Sequence, residues 1–287
     1  MRRRFGLWAL VLLVLVGATG ALALGLHHRT SSAPSKPVTR VEAWGDSMLY
    51  QDGPDLGRAL QASYGVRFDF HAFPGTPLCS WLNPELANGI PAVLARRHPE
   101  AVVLQFGGAG SSPCAKGWPP ARASIDEYHG EGLAKVSAAF EAASRYLLKH
   151  GVERIEVVGL PLRAPIMRTL LPRDAAMREA LRQAVAEVND PRVRYLDLVP
   201  ALADARGRFS VTAPCSVEER RIPGHCTGPV TLGLPSNYLR ADDGLHLCNV
   251  SWPESGAWPG PGCPGYSAGS FRAAQAIATP WLVGKGS

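Results

Sequence analysis

Five short, mostly apolar runs recur along the chain between residues 41 and 198. Each is four to six residues long and contains β-branched or aromatic residues. Runs of this kind are typical of buried strands. The predicted strands are Val41–Trp44, Val66–Phe70, Ala101–Phe106, Ile155–Leu160 and Val193–Leu198.

Amphipathic segments with helical spacing lie between and after these strands. The predicted helices are Glu131–His150, Arg173–Val188 and a last one at about Ala268–Ala278. Strands that alternate with helices favour parallel pairing through right-handed crossovers. The pattern therefore predicts an α/β fold: a three-layer α/β/α arrangement around a central parallel five-stranded sheet. Ser210 to Asn237 shows no periodicity, so we expect a disulfide-bound loop region that caps the ligand site.

The N-terminus carries a different pattern. Arg2, Arg3 and Arg4 precede an uncharged stretch from Gly6 to Leu26, long enough to span a bilayer core. Two interpretations stay open for residues 1–26: a transmembrane signal-anchor with a cytoplasmic N-terminus, or a signal peptide cleaved after Ala23. The protein would then face outward on the cell membrane or be secreted. Residues 27–39 are predicted to be a flexible linker, and residues 40–287 a folded domain.

The net charge adds little to this picture. The chain has 30 basic and 24 acidic residues, a formal charge of +6, and half of that excess comes from Arg2 to Arg4. No basic run with interleaved aromatic residues follows. The charge pattern therefore disfavours nucleic-acid binding.

The chain has six cysteines, and an even number in an exported protein indicates disulfides. The preferred pairing is Cys79–Cys114, Cys215–Cys226 and Cys248–Cys263. Zinc is the competing interpretation, because His225 precedes Cys226 and His246 lies two residues before Cys248. No Cys-x-x-Cys pair supports zinc, and an oxidising compartment disfavours it.

Residues suited to nucleophilic catalysis lie at opposite ends of the domain. Ser47 directly follows the first strand, where ligands bind in parallel sheets, although it could simply be a helix N-cap. His246 can act as a base near neutral pH, although it could also be a surface histidine in a polar loop. Asp243 lies one turn before His246 and could hold the imidazole in a single tautomer.

Four short blocks together resemble the SGNH (GDSL-type) hydrolase family, in its exported, actinobacterial-like branch. They follow the predicted strands in the family's order over roughly residues 40 to 285. The blocks are Gly45-Asp46-Ser47-Met48, Phe73-Pro74-Gly75-Thr76-Pro77-Leu78-Cys79, Gln105-Phe106-Gly107-Gly108-Ala109 and Asp243-Gly244-Leu245-His246.

The resemblance implies a flavodoxin-like sheet and acyl-ester chemistry without a metal or cofactor. Ser47 would be the nucleophile, His246 the general base and acid, and Asp243 the residue that orients His246. The backbone N–H groups of Ser47 and Gly75 would form the oxyanion hole. Asp46 would have a structural role at the turn.

The third block departs from the family pattern. Ala109 replaces the asparagine whose side-chain amide is the family's third oxyanion donor, so the oxyanion hole loses one donor. The hydroxyl of Ser111 or Ser112 could substitute for it, or a shift of the loop could supply a backbone N–H. The sequence leaves these alternatives open.

The resemblance favours an exported serine esterase that hydrolyses short acyl esters, above all acetyl esters, of a small molecule or a cell-envelope glycan. A membrane-tethered O-acyltransferase would use the same triad. A catalytically weak module that binds glycans or a partner is the third alternative, motivated by Ala109. Four tryptophans in loop-rich sequence could stack on sugars or anchor loops in the core: Trp81, Trp118, Trp252 and Trp258.

Overall fold

The fold was analysed in a computed structural model of the chain. The structure describes residues 37–107, 133–164, 171–221, 226, 230–231, 234–240, 244, 246–247 and 268–284. The predicted N-terminal apolar stretch lies outside these residues. Within them, no helix combines the length and hydropathy needed to cross a membrane.

A five-stranded sheet forms the centre of the domain. Its strands are β1 (Arg40–Gly45), β2 (Arg67–Ala72), β3 (Ala101–Gln105), β4 (Arg154–Val158) and β5 (Val193–Leu196). They pair in the order β2-β1-β3-β4-β5, and every neighbouring pair is parallel. Each strand falls within two residues of its predicted bounds, so the prediction of a central parallel five-stranded sheet is confirmed.

Helices cover both faces of the sheet. In chain order they are α1 (Ser47–Tyr64), α2 (Leu78–Trp81), α3 (Ile90–Arg97), α4 (Leu133–Lys149), α5 (Leu171–Val188), α6 (Val199–Leu202), α7 (Gly269–Ile277) and α8 (Pro280–Val283). The predicted helices correspond to α4, α5 and α7.

The alternation of side chains along β1 separates two hydrophobic clusters. Val41 and Ala43 point to the face covered by α1, α7 and α8. Trp44 points to the opposite face, where α3, α4 and α5 pack. Successive side chains of a strand point to opposite faces, so a strand that is buried on both faces contributes apolar side chains to both clusters. The domain therefore has the predicted three layers.

The segment from Ser210 to Asn237 differs from the prediction. It contains a three-stranded antiparallel sheet in the order β6-β8-β7, with β6 (Thr212–Pro214), β7 (Val230–Thr231) and β8 (Leu234–Tyr238). The expectation of a loop region without regular structure was therefore wrong. Strands of two to five residues, two of which contain proline, are too short to show a period of two.

Candidate active site

The turn between β1 and α1 places Ser47 at the carboxyl edge of the sheet. β1 ends at Gly45, and a Cβ there would lie 2.3 Å from the Leu49 Cβ and 2.4 Å from the Gln105 carbonyl oxygen. Only glycine therefore allows this close approach of β1, α1 and β3. Ser47 is the first residue of α1.

Asp46, and not Ser47, caps the helix. One oxygen of its carboxylate accepts the Met48 N–H at 3.0 Å, and the other accepts the Gly107 N–H at 2.5 Å. The N-cap interpretation of Ser47 was therefore wrong, because the neighbouring aspartate makes that bond. This leaves the Ser47 hydroxyl available for another partner. The structural role expected of Asp46 at the turn agrees with these two bonds.

The buried carboxyl of Asp46 has a perturbed acidity. Burial raises the pKa of Asp46 to about 6, because the charged form loses its hydration. The N–H bonds from Met48 and Gly107 and the positive charge of Arg163 oppose this shift. Asp46 thus joins the segments that follow β1 and β3. It also lies within electrostatic range of His246.

Arg163 contacts the same region, at the residue two positions after β3. Its guanidinium is buried, forms an ion pair with Asp174 of α5, and donates to the Gly107 carbonyl oxygen at 3.3 Å. Both backbone groups of Gly107 are thus bound: its N–H by Asp46 and its carbonyl oxygen by Arg163. Ala109, two residues further along the chain, lies outside the described residues.

The central contact of the site joins the two ends of the domain. The Nε2 atom of His246 lies 3.1 Å from the Oγ atom of Ser47, although the two residues are 199 positions apart. Both side chains are half-buried. This distance is within the range expected for a serine nucleophile and its base. Asp243, the predicted orienting residue, lies outside the described residues.

Gly244 fixes the path of the chain next to His246. Its φ is +64°, and its carbonyl oxygen accepts the Ala164 N–H at 3.0 Å. A Cβ at Gly244 would lie 2.3 Å from the Ala164 Cβ. Glycine is therefore required here both for the backbone conformation and for the approach to the segment after β4.

The other predicted oxyanion residue follows β2. Gly75 has a φ of +78° in an exposed turn, which is closed by a bond from the Thr76 N–H to the Phe73 carbonyl oxygen. The Phe73 N–H donates to the Gly45 carbonyl oxygen at 3.4 Å, which joins this turn to the nucleophile strand. Among the described residues, no acceptor binds the N–H of Ser47 or of Gly75.

The cysteines of the described region form disulfides. Cys215 and Cys226 are bonded to each other with a Cα–Cα distance of 5.9 Å, which confirms that predicted pair. Cys79 is also in a disulfide. The predicted partner of Cys79 and the predicted third pair involve Cys114, Cys248 and Cys263, which lie outside the described residues.

The zinc alternative loses one of its ligands. Cys226 is in a disulfide, so it has no thiolate to offer a metal ion. Within the part of the chain that the structure describes, no group of three or more His, Cys, Asp or Glu side chains could hold a metal.

Trp81 belongs to the core. It is 6% exposed and packs in the cluster on the face of α3 and α4. The anchoring role is therefore correct for this tryptophan, and it cannot stack on a sugar. Trp118, Trp252 and Trp258 lie outside the described residues.

Several solved structures have a similar fold. One is a candidate SGNH hydrolase from Slackia heliotrinireducens, 19% identical, which matches over 84% of this chain and 97% of that one with a TM-score of 0.49. A lipase from a goat rumen metagenome is 11% identical, over 84% and 99% of the chains, with a TM-score of 0.48. The periplasmic domain of a lipopolysaccharide acetyltransferase from Salmonella Paratyphi A is 12% identical, over 85% and 84%, with a TM-score of 0.46.

No protein-family model matches the chain, and no curated protein sequence matches it. At these identities the similarity concerns the fold, and the chemistry depends on the residues of this chain.

Sequence reasoning missed two features of the site. Phe73 precedes the glycine of the second block and is 66% exposed, which the block itself does not indicate. Gln51 lies one helical turn after Ser47 and contacts the segment that carries His246. The i, i+4 spacing of Ser47 and Gln51 places both on one side of α1, and this spacing could have shown that Gln51 lies on the same side as Ser47.

Proposed function

We propose that this chain is an exported serine esterase that removes short acyl groups, above all acetyl groups, from carbohydrate of the cell envelope. The observation that carries the proposal is the contact of 3.1 Å between the Ser47 Oγ and the His246 Nε2 at the carboxyl edge of the sheet. A serine hydroxyl becomes a good nucleophile when a positioned base can take its proton.

The proposed reaction has two steps. The Ser47 Oγ attacks the acyl carbonyl carbon while His246 takes the hydroxyl proton, and the negative oxygen faces the N–H groups of Ser47 and Gly75. His246 then returns the proton to the leaving alcohol, which gives an acyl-enzyme. Water attacks the acyl carbon in the second step and releases the acid.

Phe73 supports a carbohydrate as the alcohol part of the ester. Among the described residues it is the most exposed large apolar side chain, and its backbone is bonded to Gly45, two residues before the nucleophile. The turn that carries it contains Pro74 and is followed by Pro77, and both prolines limit its backbone freedom. An aromatic face presented in this way fits the apolar face of a sugar ring.

An active-site phosphonate and a pair of esters test the proposal. We expect labelling of the full chain that is lost in Ser47→Ala, and hydrolysis of an aryl acetate that is lost in the same variant. Labelling that persists in Ser47→Ala would exclude Ser47 as the nucleophile. Phe73→Ala should lower kcat/KM for an acetylated oligosaccharide about tenfold while it leaves the aryl acetate within about twofold.

The second candidate is transfer of the acyl group to a sugar hydroxyl. The exposed ring of Phe73 favours it as much as hydrolysis, because the same surface could hold an acceptor sugar next to the acyl-enzyme. Mass analysis of a reaction with an acyl donor and an oligosaccharide separates the two. Acylated sugar indicates transfer, and free acid alone indicates hydrolysis.

A further inference from the structure

A buried glutamine connects the helix of the nucleophile to the segment of the base. The Oε1 atom of Gln51 accepts the N–H of Leu247 at 3.0 Å. Gln51 is 1% exposed and Leu247 is fully buried, so water cannot replace this bond. The two residues are 196 positions apart in the sequence.

This bond lies next to the contact of the proposed catalytic pair. Gln51 follows Ser47 by four residues on α1, so the two side chains project from the same side of the helix. Their partners, Leu247 and His246, are adjacent in the sequence. Two neighbouring bonds, Ser47 to His246 and Gln51 to Leu247, therefore join the same two segments of the chain.

Three residues around His246 are described, namely Gly244, His246 and Leu247. The described residues next to His246 form bends and a single antiparallel bridge between Arg240 and Leu247. Gly244 is bonded to Ala164 on the side before His246. On the side after His246, Gln51 provides a contact to α1 through the Leu247 N–H.

We propose that Gln51 is a positioning residue that holds His246 in hydrogen-bond reach of Ser47. The inference rests on the proposed function, because it assigns His246 the role of base. A buried N–H that loses its acceptor is unfavourable, so the Leu247 peptide would move towards another partner. Small displacements of a catalytic group lower the rate strongly.

The test compares Gln51→Met with Gln51→Glu in the full chain. Methionine has a similar length but offers no oxygen acceptor, whereas glutamate keeps an acceptor oxygen at the same position. Gln61→Met is the matched control, because Gln61 is an exposed residue of the same helix. Thermal unfolding of each variant shows whether it is folded.

We expect Gln51→Met to lower kcat for an aryl acetate about tenfold to a hundredfold while KM stays within about twofold. Hydrogen exchange of the Leu247 amide should become at least about tenfold faster, since the bond that protects it is absent. Gln51→Glu should restore the protection of Leu247 and part of kcat. Gln61→Met should change neither quantity.

The two proposals fail in different ways. An unchanged kcat together with unchanged exchange of Leu247 in Gln51→Met would overturn the role of Gln51. Faster exchange with an unchanged kcat would also overturn it, because the bond would then be structural only. If turnover persists in Ser47→Ala, the proposed function is wrong. In that case the effect of Gln51→Met on the NMR signals of the His246 ring still decides whether Gln51 positions this side chain.

Discussion

Replacement of Gly244 by alanine tests whether the backbone next to His246 controls the proposed catalytic contact. The φ of +64° at Gly244 is in the left-handed region, where a residue with a Cβ is destabilised by about 1–2 kcal/mol. The added Cβ would also lie 2.3 Å from the Ala164 Cβ. Carbon atoms pack at about 3.5–4.0 Å, so one of the two segments has to move by about 1 Å or more.

That displacement sets the size of the expected effect. Movement of Gly244 away from Ala164 carries His246 with it, and a misplacement of about 1 Å in a catalytic group can lower a rate about a hundredfold. This corresponds to roughly 2.7 kcal/mol of activation free energy. We therefore expect kcat for an aryl acetate to fall about a hundredfold in Gly244→Ala, with the variant still folded.

Two further variants separate the steric effect from the backbone effect. Gly207→Ala is the control for backbone strain, because Gly207 has a φ of +72° and no heavy atom within 4 Å of its added Cβ. It should lose about 1 kcal/mol of stability and no activity. Adding Ala164→Gly to Gly244→Ala removes the opposing methyl group, so most of the lost activity should return.

The reasoning would be refuted by either of two results. Full activity of Gly244→Ala would mean that the loop can move without displacing His246. An equally low activity of the single and the double variant would mean that contact with Ala164 is not the cause. Initial rates and thermal unfolding, measured on the parent protein and all three variants, provide the comparison.

Three other predictions concern the nucleophile turn, the sheet and the disulfide. Asp46→Asn replaces one acceptor with a donor opposite the Gly107 N–H. Because bonds to charged groups contribute about 1.5–3 kcal/mol, kcat should fall about tenfold or more. A change within twofold would contradict this. Burial raises the pKa of Glu156 to about 8 in the folded protein from 4.5, so the free energy of unfolding should decrease as the pH rises from about 4.5 to 8. Glu156→Gln should flatten this dependence in denaturant titrations, and an unchanged slope would count against it. Replacing Cys215 and Cys226 by serine opens a loop of 11 residues and should lower the free energy of unfolding by about 3 kcal/mol, whereas an unchanged denaturation midpoint would disprove the contribution.

The central sheet could be predicted because its three inner strands are buried on both faces. Such strands are mostly apolar runs, as in Ala101–Gln105, and their length distinguishes them from helices. The small antiparallel sheet could not be predicted in this way. Its strands are held together by pairing across the chain and by the disulfide between Cys215 and Cys226, and neither leaves a periodic pattern in the sequence.

The sequence provides candidate site residues but not the geometry around them. The four blocks predict Ser47, Gly75 and His246, and the structure places Ser47 and His246 in contact. The choice between Asp46 and Ser47 as the helix cap depends on which side chain bonds the Met48 N–H. Adjacent polar residues at a helix start are equivalent to sequence reasoning. The i, i+4 spacing of Ser47 and Gln51 indicates that the two residues share one side of α1. The contact of Gln51 with Leu247, 196 positions away, follows only from the fold.

The position of Ser47 at the start of an 18-residue helix has an electrostatic consequence. The aligned peptide dipoles of α1 place roughly half a positive charge at its N-terminus, where negative charge would develop on an acyl carbonyl bound to Ser47. This field comes from the backbone, so it needs no side-chain amide and does not depend on the residue at position 109. A chain that has alanine at that position would still keep this backbone field at Ser47, set against the carboxylate of Asp46 that caps the same helix.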